Sequence, residues 1–162
     1  MFRMASVRDE DVPLLRQLIS ELADYEHLSE QMEATDERLR AALFGAAPAA
    51  EAVIAFAGSE PAGFALFFQN FSTFVGKPGL YLEDLFVRPA WRGQGLGLAL
   101  LAHLAGISVD RGYGRMEWSV LDWNELALGF YRRLGARPMS DWTTYRLSGD
   151  DIRKLAGRQK GS

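Results

Sequence analysis

The sequence predicts a mixed α/β fold of the α+β type, and three observations carry that prediction. The apolar period switches repeatedly between helical spacing and strand-length runs. Glycine and proline gather between those segments, where chain reversals belong. Apolar residues make up 48% of 162 positions and aromatics 12%, enough for a substantial core. The length indicates one domain, taken as residues 1–156, with 157–162 as a flexible tail.

The elements follow in order. Phe2 to Val7 reads as a first strand. Asp9 or Asp11 opens a helix with Pro13 in its first turn, where a missing N–H is tolerated. Leu14, Leu15, Leu18, Ile19 and Leu22 form its buried stripe. Thr35-Asp36 caps a second helix through Leu43, ended by Gly45 and Pro48. Ala52 to Ala57 is a strand, Gly58 to Pro61 a turn, and Gly63 to Phe71 a strand rich in phenylalanine. Phe74 to Gly79 is a loop and Leu80 to Val87 the next strand. Leu96 to Val109 is a helix apolar almost all round, so burial on more than one side is expected. Met116 to Leu121 is a strand, and Asn124 to Leu134 a helix stopped by Gly135. Thr144 to Leu147 reads as a last strand and Asp150 to Leu155 as a short last helix.

Composition narrows the chemistry. Eighteen Lys and Arg stand against 21 Asp and Glu, a net charge of −3, which disfavours a nucleic-acid binder. There are no cysteines, so disulfides, thiolate metal sites and an enzymatic thiol nucleophile are excluded. With only His27 and His103, a multi-histidine metal site is disfavoured, and no metal is expected. His103 lies inside an apolar helix and reads as a packed residue, and His27 sits beside candidate substrate residues. The longest apolar runs fall well short of the roughly 18 residues that span a bilayer, so a cytoplasmic protein without a membrane partner is expected.

Arg92-Gly93-Gln94-Gly95-Leu96-Gly97 joins a strand to a helix. Glycine at every second position leaves successive N–H groups bare at the positive end of a helix dipole, and Arg92 adds a forked cation. This is a cradle for a pyrophosphate. The dinucleotide fingerprint fails because position 98 is leucine, and the strand order around Glu117, the candidate ribose ligand, does not fit it. The nucleoside-triphosphate loop fails because Gly76-Lys77 is followed by Pro78.

About 30 residues on, Asn124-Glu125-Leu126-Ala127 leads into Phe130-Tyr131-Arg132-Arg133-Leu134-Gly135-Ala136. With the glycine loop, this pattern resembles the GNAT superfamily of acetyl-CoA-dependent N-acetyltransferases along essentially the whole chain. Tyr81-Leu82-Glu83-Asp84-Leu85-Phe86-Val87, Asp122-Trp123-Asn124-Glu125 and Glu21-Leu22-Ala23-Asp24-Tyr25-Glu26 resemble its spermidine/spermine (diamine) and thialysine branch. The resemblance implies a GNAT fold: a central, mixed, mostly antiparallel twisted sheet of about six to seven strands flanked by about four to five helices. It implies acetyl-CoA as co-substrate. Leu85, Phe86 and Val87 would pair with its pantetheine arm, and Arg92, Gly93, Gln94, Gly95, Leu96, Gly97 and Leu98 would hold its pyrophosphate. Asn124 and Ala127 would line it from the far side. Tyr131 would protonate the departing thiolate, and Glu83 would help deprotonate the amine. Tyr25, Glu26, Glu83, Asp84, Glu117 and Trp118 would line the amine site. A small-molecule amine and a second copy of the chain, as a homodimer, are the implied partners.

The chemistry is self-consistent. A primary amine has a pKa near about 10 and must lose a proton before attacking a thioester, which a carboxylate can accept directly or through water. Glu83 and Asp84 are adjacent, so strand alternation puts Glu83 with Tyr81 and Leu85, and Asp84 with Leu82 and Phe86, unless a bulge intervenes. Seven carboxylates between Glu21 and Glu37, uninterrupted by Lys or Arg, read as a solvated face or an acidic rim for a cation. One departure from the diamine branch concerns Trp142 to Leu147, where the acidic pair usual before its Trp-Arg-Leu segment is missing. A diamine or polyamine is therefore one acceptor class and a lysine-like or thialysine-type amino acid another. A protein lysine and a coenzyme-binding module without turnover are the remaining alternatives.

Overall fold

In the computed structural model, which describes residues 1–159, five strands form one sheet in the order β1-β2-β3-β4-β5. They are β1 Phe2–Ser6, β2 Glu51–Ala57, β3 Glu60–Ser72, β4 Lys77–Val87 and β5 Met116–Trp118. The first four pair antiparallel and β5 joins β4 in parallel, so the sheet is mixed and mostly antiparallel as expected. The described residues also form five α-helices: α1 Val12–Tyr25, α2 Asp36–Phe44, α3 Leu96–Asp110, α4 Glu125–Arg133 and α5 Asp150–Ala156.

The described residues gather into two compact units, Met1–Ser119 and a second from Val120 onward. In the first, Leu15, Leu18 and Leu22 of α1 and Leu43 of α2 pack on Ile54, Phe64 and Phe86 of the sheet. Apolar residues at helical spacing on α1 meet strand residues at period two, which is why this layer closes. The alternate strand positions, including Val53, Ala55, Ala65, Phe67, Leu80 and Leu82, are also buried. That face carries α3, which packs against β1, β3 and β4.

Several expectations are corrected. Residues 144–147 form no strand, and Tyr145 there is 93% exposed. An extended segment needs a partner for its backbone groups, and the second unit contains none among its described residues. The sheet accordingly has five strands among the described residues instead of six to seven. β5 stops at Trp118, three residues short of Leu121. α3 buries a single stripe, Leu96, Leu100, Leu101, Leu104 and Ser108. Its other side is lined with small residues such as Ala102 and Gly106, whose apolarity mimicked burial. His103 is half-buried on it. Of the tail expected over residues 157–162, Gly157 caps α5 through its N–H to the Arg153 carbonyl, and residues 160–162 lie outside the described residues. No helix among the described residues is long and apolar enough to cross a membrane.

Candidate active site

β4 and β5 pair only over Leu80–Leu82 against Met116–Trp118. β4 continues to Val87 beside β3, so residues 83–87 have no strand on their other edge among the described residues. At the point of departure the β3–β4 register slips: Phe67 faces Leu82, Leu66 faces Asp84, and Glu83 is the extra residue of a bulge. The slip corrects the alternation expected from sequence. Tyr81, Asp84 and Phe86 share the α1 face with Phe64, Leu66 and Phe68, while Leu80, Leu82, Leu85 and Val87 share the α3 face.

On the α1 side Asp84 lies within electrostatic reach of two further carboxylates, Glu83 and Glu26. Asp84 is half-buried; burial, then the charge of Glu83, then that of Glu26 push its carboxyl up to about 7. Glu26, the residue that caps the end of α1, is half-buried, and burial raises its carboxyl above the usual range. Glu83 is exposed at the bulge. Among the described residues no three His, Asp or Glu side chains are arranged to hold a metal ion. The same face carries aromatic surface: Phe68 stacks on Tyr81 with ring centroids 5.1 Å apart, and the Tyr81 hydroxyl lies 2.9 Å from Ser119 Oγ. Tyr81 and Ser119 were not singled out from sequence. Only the bulge, which has no sequence signature here, aligns them with Asp84.

The end of α1 is fixed twice. Arg88, just past β4, donates from Nε to Glu21 Oε2 at 2.9 Å and from Nη2 to Glu21 Oε1 at 2.8 Å. Then the chain reverses: the His27 N–H donates to the Asp24 carbonyl and the Leu28 N–H to the Ala23 carbonyl, with His27 at φ 59°. This is a Schellman cap in which histidine occupies the left-handed position usually given to glycine. Much of the acidic run is engaged elsewhere: Glu21 with Arg88, Asp24 with the Ser29 hydroxyl, Glu33 with Arg38 and Asp36 with Arg16. Glu26 is the member that reaches Asp84 electrostatically.

Of the two acceptor residues expected on β5, Glu117 pairs with Tyr81 in register and lies on the Asp84 face. Its carboxylate is engaged by Arg115 Nε at 3.2 Å and by the Asn70 amide at 3.4 Å. Trp118 pairs with Leu82, so it falls on the opposite face.

After β4 the chain passes into the glycine loop. Gly93 and Gly95 take φ values of 75° and 85°, and Gly95 is the N-cap of α3. Side chains disfavour that conformation, which explains glycine at both places. The Ala99 N–H bonds the Gly95 carbonyl, so the N–H groups of Leu96, Gly97 and Leu98 precede the helical ladder and have no acceptor within it. The loop from Arg92 to Gly95 is exposed, Leu96 buries its side chain in the core, and Leu98 is 49% exposed. Gln94 Nε2 donates to the Ala90 carbonyl. Arg92 turns back: its Nε donates to the Val87 carbonyl at 2.9 Å, and its guanidinium carbon lies 4.6 Å from the Tyr25 ring centroid and 5.7 Å from that of Phe86. Bare N–H groups at a helix start beside the open edge of Leu85–Val87 form a cradle that fits a pyrophosphate followed by an extended, amide-bearing arm.

In the second unit, Asn124 caps α4, accepting from the Ala127 N–H at 3.3 Å. Tyr131 is half-buried against Phe130, ring centroids 5.6 Å apart. Gly135, at φ 87°, closes the helix with the bonds that His27 makes possible at the end of α1.

Comparison with known proteins bears on the family and the fold. The acetyltransferase (GNAT) family profile matches residues 15–136. A thialysine N-epsilon-acetyltransferase of Bos taurus is 35% identical over 93% of this chain and 95% of its own. An L-ornithine N5-acetyltransferase of Arabidopsis thaliana is 31% identical over 90% of this chain and 83% of its own. Among solved structures, an integron cassette protein from the mobile metagenome of V. cholerae superposes with a TM-score of 0.78 at 27% identity, covering 96% of this chain and 97% of that one. From the first turn of α1 to just past α4, profile and fold coincide, and the chain belongs to the acetyltransferase (GNAT) family.

Proposed function

We propose that this acetyltransferase moves the acetyl group of acetyl-CoA to the primary amine of a small cationic acceptor, by direct attack while both are bound. The observation that carries the reading is the Glu26, Glu83 and Asp84 cluster where β4 leaves β5, with Asp84 poised near neutrality. Carboxylates there favour an ammonium group. A carboxylate with a pKa of about 7 can take the ammonium proton without holding it too tightly at neutral pH. Burial favours Asp84 as the immediate acceptor, with Glu83 at the bulge passing the proton to water.

Acetyl-CoA supplies the acyl group as an activated thioester. The N–H groups of Gly93 to Leu98 would hold its pyrophosphate, Leu85 to Val87 its pantetheine arm, and Asn124 and Ala127 its far side. The Tyr131 hydroxyl would protonate the thiolate. Tyr131→Phe should then lower kcat about a hundredfold while the coenzyme dissociation constant changes less than about twofold. An unchanged kcat removes that role.

Two acceptor types fit: polyamines or diamines, and amino acids with a side-chain amine. The second is favoured because the bovine and Arabidopsis relatives are named for thialysine and ornithine, and because residues 142–147 carry no carboxylate. The deciding experiment is thiol release from acetyl-CoA with thialysine, lysine, ornithine, putrescine, spermidine, spermine and a lysine peptide. Turnover of the amino acids supports the favoured reading, and turnover of polyamines alone supports the other. Turnover of the peptide alone, or tight coenzyme binding with no turnover, overturns both. The proposal includes a cytoplasmic homodimer, with Phe71 and Phe74, 61% and 92% exposed, as contact residues. A monomer at tens of micromolar in sedimentation equilibrium rejects the dimer.

A further inference from the structure

Arg92 belongs to the glycine loop by sequence, yet its side chain is committed to the acceptor side of β4. Three contacts define its place: the Val87 carbonyl at 2.9 Å from Nε, the Tyr25 ring at 4.6 Å and the Phe86 ring at 5.7 Å. Tyr25 is the last residue of α1 and Glu26 is its cap, so whatever seats Tyr25 also seats the Glu26 carboxylate. That end of the helix is also held by its own cap bonds, by packing of Tyr25 against the core and, one turn earlier, by the Arg88–Glu21 pair, and Arg92 adds a hold at the ring itself. A planar guanidinium suits this role, because it can stack on a ring while its edge donates to a carbonyl.

We infer that Arg92 is a positioning residue for the acceptor site, holding the Tyr25–Glu26 end of α1 against β4 through the Tyr25 ring. The inference rests on the acetyltransferase reading and adds a second duty to a side chain whose loop faces the coenzyme. An arginine that served the coenzyme alone would affect only the acetyl-CoA dependence. An arginine that also seats Tyr25 affects the amine dependence at saturating acetyl-CoA, and does so only while the Tyr25 ring is present.

The test is a double-mutant cycle on the full chain with Arg92→Met, Tyr25→Leu and the pair, using whichever amine of the panel turns over. Arg92→Met should raise the amine KM about three- to tenfold with acetyl-CoA saturating, and Arg92→Lys less, because a cation remains over the ring. In the Tyr25→Leu background, Arg92→Met should no longer move the amine KM. An amine KM untouched by Arg92→Met, or raised by the same factor in both backgrounds, overturns the inference. Hydrogen exchange in the ligand-free protein gives a readout independent of turnover. The Glu26 and Leu28 amides, bonded to the Leu22 and Ala23 carbonyls, should exchange several-fold faster in Arg92→Met. If no amine turns over but these amides respond, the proposed reaction fails and the hold on α1 stands. If amines turn over and neither the amides nor the amine KM respond, the hold on α1 fails alone.

Discussion

Burial and two neighbouring carboxylates keep the Asp84 pKa well above the usual aspartate range, which costs stability and, on the proposed mechanism, serves turnover. In the unfolded chain Asp84 ionises near its ordinary value of 3.8, and in the fold only near 7. Below about pH 4 the group is protonated in both states and contributes nothing. As pH rises from about 4 to 7 the unfolded chain loses its proton first, and the fold is penalised by on the order of 2–4 kcal/mol, fully present above 7. Asp84→Asn should therefore melt several degrees higher than the parent at pH 8, the gap closing as pH falls toward 4, as calorimetry would show. The same change should abolish the limb of the kcat/KM profile that rises through pH 7. A variant that is neither stabilised at pH 8 nor altered in its pH profile would show that Asp84 is neither strained nor used. Group strain of this kind, stabilising when removed and harmful to activity, is common where a site needs a charge its surroundings resist.

At the scale of elements, α1 and α4 end in the same Schellman motif with different residues in the left-handed position, Gly135 in one and His27 in the other. Gly135 made the end of α4 readable from sequence. His27 hid the end of α1, because nothing in a histidine announces positive φ; it is the only non-glycine residue with that conformation among those described. Strain of this type is sustained where the surrounding structure over-determines the backbone, and here the cap presents Glu26. His27→Val, branched at Cβ, should cost about 1–2 kcal/mol in urea denaturation, and His27→Gly should fall within about 0.5 kcal/mol of the parent. Equal losses in both would place the effect in the imidazole's contacts instead of the backbone. The glycine loop behaves oppositely. Its conformation was legible because Gly93 and Gly95 occupy positions where a side chain would be strained, so residue type reported backbone geometry directly. The bulge at Glu83 was illegible. The apolar run Tyr81–Val87 is interrupted only by two adjacent carboxylates, and which of them is buried depends on the β3 register, a non-local fact. The strand expected at residues 144–147 failed for a related reason, since strand propensity says nothing about whether a partner is present.

At the scale of the molecule, a net charge of −3 is too small to draw a cation on its own, and three of the seven carboxylates from Glu21 to Glu37 are paired with Arg88, Arg16 and Arg38. On the proposed reaction, the groups that would attract an amine are local: Glu83 exposed at the bulge, with Glu26 and Asp84 close by. Screening then separates long-range steering from local recognition. Exposed charges more than a Debye length from the site, about 10 Å at 0.1 M salt, contribute little, while half-buried partners are screened less. Raising ionic strength from about 0.02 to 0.5 M should lower kcat/KM for a dicationic acceptor more than for a monocationic one, by about two- to fivefold against less than twofold. kcat should hold nearly constant, because bound substrate is already inside the cluster. Neutralising Glu30 and Glu37, exposed members of the run, should reproduce only a small part of the salt effect, whereas Glu83→Gln should remove most of it. Initial rates across a salt series for the parent and these variants check the assignment. A salt effect that survives Glu83→Gln and disappears with Glu30 and Glu37 would return the attraction to the rim of the molecule and take it away from the bulge.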